Sequence, residues 1–167
     1  HEKLEFKANV IFLCASARVE GYLDKYYKGR RPNGFYIPRF VNLDENTRKK
    51  EYLRGFGYQG GASREDWTQA VAEMSYGKAL KESLLKPGQW EIGATGFGEM
   101  LPYHDNRVTL STTEKDPWGL PQLDFDVEFK ANEYKMREDI IREITTMFKA
   151  AGFKDITPYE NETGPGL

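Results

Sequence analysis

Three polar side chains stand among glycines in stretches with strand-like spacing: Gln59 in GFGYQGG, and Thr95 and Glu99 in WEIGATGFGEML. An amide, a hydroxyl and a carboxylate supply the donors and acceptors that sugar hydroxyls need, and neighbouring glycines let a ligand approach the backbone. In an extended strand alternate residues share a face, which aligns Glu91, Gly93, Thr95, Phe97 and Glu99 on one side and Leu53, Gly55, Gly57 and Gln59 on one side of another strand. The pattern predicts a recess suited to a polyhydroxylated substrate, with Glu99 as the leading residue. It also fits a polar face turned simply to solvent.

Other chemistries fail on residue supply. The chain holds two histidines, His1 and His104, and one cysteine, Cys14, so neither a Ser-His-Asp nor a Cys-His arrangement can be argued, and no Cys/His metal cluster occurs. His104 falls between Pro102 and Asp105 in a predicted turn and reads as a solvated histidine, not a general base. Cys14 lies in VIFLCASA as a small buried hydrophobe; one thiol excludes an internal disulfide and fits a reducing or an oxidising compartment equally. Asp124 and Asp126 share a strand face, but beside Phe125 and Val127 they read as the solvent side of a half-buried strand, not as a hydrolase's carboxylate pair. No catalytic residue is assigned.

With 24 Lys+Arg against 26 Asp+Glu the formal net charge is −2, which gives no electrostatic reason for a nucleic-acid or acidic-membrane partner. The basic cluster KYYKGRR, Lys25 to Arg31, reads as a solvated loop or sheet edge. No apolar run reaches the ~18 to 20 residues that cross a bilayer as a helix.

The elements that must position the polar groups follow from periodicity. Leu4 to Lys7 and Val10 to Ala15 read as strands, the second apolar throughout as in a strand covered on both faces. Six further strands are predicted: Val19 to Tyr26, Phe35 to Phe40, Tyr52 to Tyr58, Trp90 to Leu101, Arg107 to Ser111 and Gln122 to Phe129. Arg31-Pro32-Asn33-Gly34 marks one turn, His104-Asp105-Asn106 is predicted to close a hairpin between Leu101 and Val108, and Leu43 to Lys50 is a charged loop. Arg107 is predicted to pair with Asp105 or Glu99. A helix is predicted over Ala70 to Lys86, weakened by Gly77, and a second over Glu133 to Ala151. The latter has Asn132 as N-cap, a core stripe of Met136, Ile140, Ile144, Met147 and Phe148, and Gly152 at the C-terminal left-handed position. Phe153 to Thr157 can return to a sheet.

The blocks GFGEMLPYHDNRVTL and DPWGLPQLDFDVEF, and the helix running into AAGFKDI, resemble the C-terminal half of the glucose-methanol-choline (GMC) oxidoreductases, which use FAD to oxidise sugars and other alcohols. The opening FKANVIFLCASA resembles the strand pair by which that family's FAD domain returns to its sheet. The resemblance implies an α+β fold: a six-stranded, mostly antiparallel sheet backed by helices, with short remnants of an FAD-binding α/β domain. Residues 1–17 would be those remnants, 18–159 a substrate-binding domain, and 160–167 a tail leading toward the catalytic segment.

Departures from the family limit what this chain can do alone. No Gly-x-Gly-x-x-Gly opens a helix after a strand, and the glycines of Arg54 to Gly61 alternate with aromatics in the manner of close-packed strand, not phosphate cradle. Relatives carry a longer flavin-contacting segment after the equivalent of Ala17. The family's active-site histidine, and the His or Asn that follows it, lie beyond a segment like Gly164 to Leu167. The expectation is therefore a substrate-binding fragment of an FAD-dependent oxidoreductase, inert in isolation, with FAD belonging to the parent protein and none bound by the fragment. The alternative is a stand-alone carbohydrate-binding or interaction module. Self-association is expected through the exposed sheet face.

Overall fold

Residues 9–21, 34–64, 77–84 and 88–159 are described by the computed structural model. Alternation of residue types along 90–99, and of glycine with aromatics at 56–58, fits the two-residue period of a strand, and these segments become neighbouring strands inside a sheet. In chain order the elements are β1 (Asn9–Val19), β2 (Phe35–Ile37), β3 (Phe56–Arg64), α1 (Gly77–Leu84), β4 (Trp90–Glu99), β5 (Arg107–Lys115), β6 (Pro121–Asp126), α2 (Ala131–Ala150) and β7 (Lys154–Pro158). The fold is α+β with a mainly antiparallel sheet: five strands in the order β2-β3-β4-β1-β7, every neighbouring pair antiparallel, and a separate ribbon of β5 and β6.

That arrangement corrects the six-strand expectation for the described residues. Arg107 to Ser111 and Gln122 to Phe129 do not join the main sheet. They pair with each other, because the tight turn at Asp116-Pro117-Trp118-Gly119-Leu120 brings them together locally. His104 and Asp105 do form an exposed turn, but it leads from β4 into the ribbon and closes no β4–β5 hairpin. Arg107 pairs across the ribbon with Asp126 at 3.3 Å, while Asp105 takes Lys130 at 2.9 Å and Glu99 takes Arg54 at 3.5 Å. The predicted return strand after the second helix is present as β7, paired with β1. β1 itself runs unbroken through Ala17 and Arg18. Leu4 to Lys7, most of Val19 to Tyr26, the Lys25 to Arg31 cluster, residues 31–33 of the predicted turn, and residues 70–76 and 85–86 of the first predicted helix lie outside the described residues.

Helix α2 covers one face of the sheet, packing on β1, β4 and β7. Its predicted stripe is the core: Met136, Ile140, Ile144 and Phe148 are buried, with Met147 packed at the margin. Small residues beneath it, Ala15, Ala17, Ala94, Gly96 and Gly98, let the helix sit close to the strands. Beside it Phe56 and Tyr58 cross edge to face at 5.7 Å, and the Tyr58 hydroxyl donates to the Ile140 carbonyl at 2.7 Å. The helix ends with Gly152 at φ +79°, the left-handed position expected there. Its start differs from expectation: the N-cap is Lys130, whose N–H is accepted by Glu133 Oε2 at 3.0 Å. Asn132 lies inside the helix, and its side-chain oxygen accepts the Leu53 N–H at 2.7 Å.

The charged stretch Leu43 to Lys50 belongs to an ordered loop tied to α2. Asn42, at φ +53°, accepts the Lys49 N–H at 2.6 Å and donates to the carbonyls of Tyr52 and Arg54. Asp44 and Thr47 close a tight turn. The loop is then bound to the helix through Asp139, which is buried and accepts the Tyr52 hydroxyl at 2.5 Å, pairs with Lys49 at 3.3 Å and bonds Arg142.

Candidate functional site

The period-2 reading holds on β4 for the face away from α2; on the third predicted strand it holds for Gly57 and Gln59 alone, since β3 begins at Phe56 and leaves Leu53 and Gly55 in the preceding loop. On β4, Ala94, Gly96 and Gly98 are buried toward the helix, while Glu91, Gly93, Thr95, Phe97 and Glu99 occupy the opposite, open side. Register extends this row across strands: Gln59 lies directly opposite Thr95, Gly57 opposite Phe97, Gly61 opposite Gly93, and Ser63 opposite Glu91. Tyr36 of the short edge strand β2 stands opposite Gln59, and Ser16 of β1 opposite Gly93.

Two shallow hollows mark this face. The larger, about 640 Å³, is lined by Ser16, Ser63, Glu91, Thr95 and Tyr159, with Gly61 and Gly93 among its lining residues. The smaller, about 330 Å³, is lined by Tyr36, Arg39, Gly57, Gln59, Phe97 and Glu99. The structure thus brings Gln59 and Thr95 together as cross-strand neighbours at the boundary between the hollows. Glu99 sits further along β4 and is engaged by Arg54, a half-exposed pair worth at most about 1 kcal/mol. Neither the Gln59 nor the Thr95 side chain makes a hydrogen bond among the described residues.

The glycines divide into two classes. A Cβ on Gly55 would lie 2.4 Å from the Val41 carbonyl oxygen, one on Gly57 would lie 2.7 Å from that of Ile37, and one on Gly60 would strike both the Gly93 oxygen at 2.2 Å and the Phe35 ring at 2.3 Å. These residues are glycine because the chain packs against their backbone, and the run from Gly55 to Gly61 lies along a strand and its approach, opening no helix. It therefore does not fit a dinucleotide's pyrophosphate, which needs a glycine turn at a helix N-terminus. Gly61 and Gly93 differ. Nothing lies within 4 Å of a Cβ on Gly61, and only the Tyr159 hydroxyl, at 4.0 Å, approaches one on Gly93. Neither has a positive φ. Each costs roughly 0.5–1 kcal/mol as a strand glycine with no internal packing to explain it.

Together Gly61 and Gly93 make a patch of bare backbone rimmed by the hydroxyls of Ser16, Ser63 and Thr95, the Glu91 carboxylate and the Tyr159 phenol. Such a surface accepts the face of a ring while the rim exchanges hydrogen bonds with its substituents. Ser16, Tyr36 and Tyr159 escape sequence reasoning because the order in which strands pair, which places them here, has no local signal. His104 is exposed in its turn, away from both hollows, and the side chain of Cys14, which sits at the register shift between Leu13 and Ala15, lies outside the described residues. Among the described residues no group of three or more metal-ligating side chains occurs, and no helix is long and apolar enough to cross a membrane. No protein-family model matches this chain, and no curated protein matches it.

Proposed function

We propose that this chain is the substrate-side domain of a GMC-type, FAD-dependent oxidoreductase acting on the CH–OH group of a sugar or other alcohol, and that it holds the substrate on the open face of the sheet. The observation that supports the substrate class is the bare backbone at Gly61 and Gly93 inside a rim of hydroxyl, carboxylate and phenol groups. A pyranose-sized ring lies flat there, with Thr95 and Gln59 reaching hydroxyls at its edge. Glu91 accepts a hydrogen bond from within the rim. The resemblance over Gly96 to Gly152 supports the redox class. In this reading the flavin is held by sequence outside this chain, since the glycine run serves packing.

The test is titration of the isotope-labelled chain with monosaccharides and polyols, followed by amide NMR. Shifts are expected at Gly61, Gly93 and Thr95. Gly93→Val, which places a branched side chain in the hollow, is expected to weaken binding at least tenfold while leaving the thermal midpoint unchanged or raised. The absence of shifts at saturating sugar overturns the binding face. Sugar-dependent reduction of FAD by this chain alone overturns the assignment of flavin chemistry to other sequence. The lack of a flavin cradle also favours a second reading, a carbohydrate-binding module without redox partner, which shares the same hollow and the same titration.

A further inference from the structure

The two hollows on the open face differ in what lines them. Where the larger offers bare backbone and hydroxyls, the smaller offers two aromatic rings, Tyr36 of β2 and Phe97 of β4, together with Arg39, Gln59 and Glu99. Tyr36 stands directly opposite Gln59, so its ring belongs to the open face, and it is 65% exposed. Among the described residues it makes no hydrogen bond and no ring contact.

Arg39 is fixed where it stands. After β2 the chain crosses the glycines at the start of β3: a Cβ on Gly55 would lie 2.6 Å from Arg39 Nε and 3.1 Å from its Cδ, so the arginine side chain rests on bare backbone. Its Nε donates to the Val41 carbonyl at 3.0 Å and its Nη2 to the Asn42 carbonyl. These bonds set the plane of the guanidinium and leave the other N–H groups of its fork without a partner among the described residues. Glu99 meets Arg54 through one carboxylate oxygen and keeps the other. Groups held in this way lose little freedom when a ligand arrives.

We propose that the smaller hollow is a second sugar subsite, so that the open face takes a saccharide of two or more rings, one on Gly61 and Gly93 and another on Tyr36 and Phe97. This rests on the reading of that face as a sugar site. The lining selects the occupant. An aromatic π-face carries negative charge and attracts the polarised C–H groups on the face of a pyranose. A hollow that presents a guanidinium and a carboxylate together sets one of them against any charged ligand, whereas a neutral polyol suits both, since each is planar and bonds adjacent hydroxyls in pairs. A purely apolar ligand would leave both unpaired. Reach sets the number of rings. Gly93 in the larger hollow and Phe97 in the smaller stand ~13 Å apart along β4 at the ~3.3 Å rise of a strand, farther than one hexose ring spans. Gln59 and Thr95, paired across the boundary, lie beneath the link.

Calorimetry and amide NMR of the labelled chain, titrated with mono-, di- and trisaccharides of glucose, mannose and xylose, test the subsite. Monosaccharides are expected to shift Gly61, Gly93 and Thr95. Longer members of the same series are expected to shift Gly57 and Phe97 as well and to bind at least tenfold tighter, because the first ring holds the second at a high effective concentration. Tyr36→Ala is expected to lower the ratio of trisaccharide to monosaccharide affinity at least tenfold with an unchanged thermal midpoint, and Tyr36→Phe, which keeps the ring, to restore it. Longer saccharides that bind no tighter than monosaccharides and leave Gly57 and Phe97 unshifted overturn the second subsite while the first stands. So does a Tyr36→Ala chain that keeps the full ratio. Silence at every amide with every sugar overturns both readings.

Discussion

On the helix side of the sheet, the carboxylates of α2 that face inward are buried and saturated; on the open side, the polar side chains of Gln59 on β3 and Thr95 on β4 are not. Asp139 holds Tyr52, Lys49 and Arg142, and Glu133, also buried, accepts from the N–H groups of Leu101 and Lys130 and the side chains of Tyr103 and Asn132. Gln59 and Thr95 have no such internal commitment among the described residues. A buried carboxylate without partners would cost several kcal/mol, so the helix side must be complete before the chain is stable. The open side is under no such demand, and its spare hydrogen-bonding capacity and bare glycines are what a ligand can use.

If the helix side carries the stability, the largest effect belongs to its centre. Ile140→Ala, at a fully buried position beneath Tyr58, is expected to lower the unfolding free energy by about 3–4 kcal/mol in urea titration. A loss under about 1 kcal/mol would break the contrast. Next comes Tyr52→Phe, which removes one bond to a buried carboxylate and is expected to cost about 1.5–2 kcal/mol. It also carries a pH signature. Burial, reinforced by the hydrogen bond to Asp139 and that residue's charge, holds the Tyr52 hydroxyl protonated far above its ordinary range, and burial with the Glu133 bond pushes Tyr103 up to about 12. The folded chain keeps protons that the unfolded chain releases above about pH 10. Stability is therefore complete below that pH and falls as pH rises through it, and the fall should be shallower in Tyr52→Phe. The smallest effect is on the open side: Arg54→Ala, which frees Glu99, is expected to change stability by no more than about 0.5 kcal/mol, because both side chains are nearly half exposed. A larger loss would show that the open side is structural too.

Parts of this were legible in the residues. The stripe from Met136 to Phe148 and the alternation on β4 follow from local periodicity, which a strand or helix expresses without help from distant sequence. Strand partners do not, since pairing depends on which faces are buried after collapse; that is why β5 and β6 read as members of the main sheet. The burial of Asp139 and Glu133 has no local signal, because it is decided by Tyr52, Lys49 and Tyr103, which lie 30 to 90 positions away. Of the site, the shared face of Gln59, Thr95 and Glu99 was readable. The division into two hollows, and the Arg54 pair that occupies Glu99, were not.

The order β2-β3-β4-β1-β7 also has a consequence in time. β1 is the first described strand to leave the ribosome, yet its partners are β4, roughly 70 to 90 residues downstream, and β7, near position 156. At ~5–20 residues per second of synthesis, β1 waits several seconds for one edge to be paired and longer for the other. Its sticky backbone must be shielded through that interval, so the yield of folded chain is set as much by the pace of translation and by chaperone access as by the stability of the finished sheet.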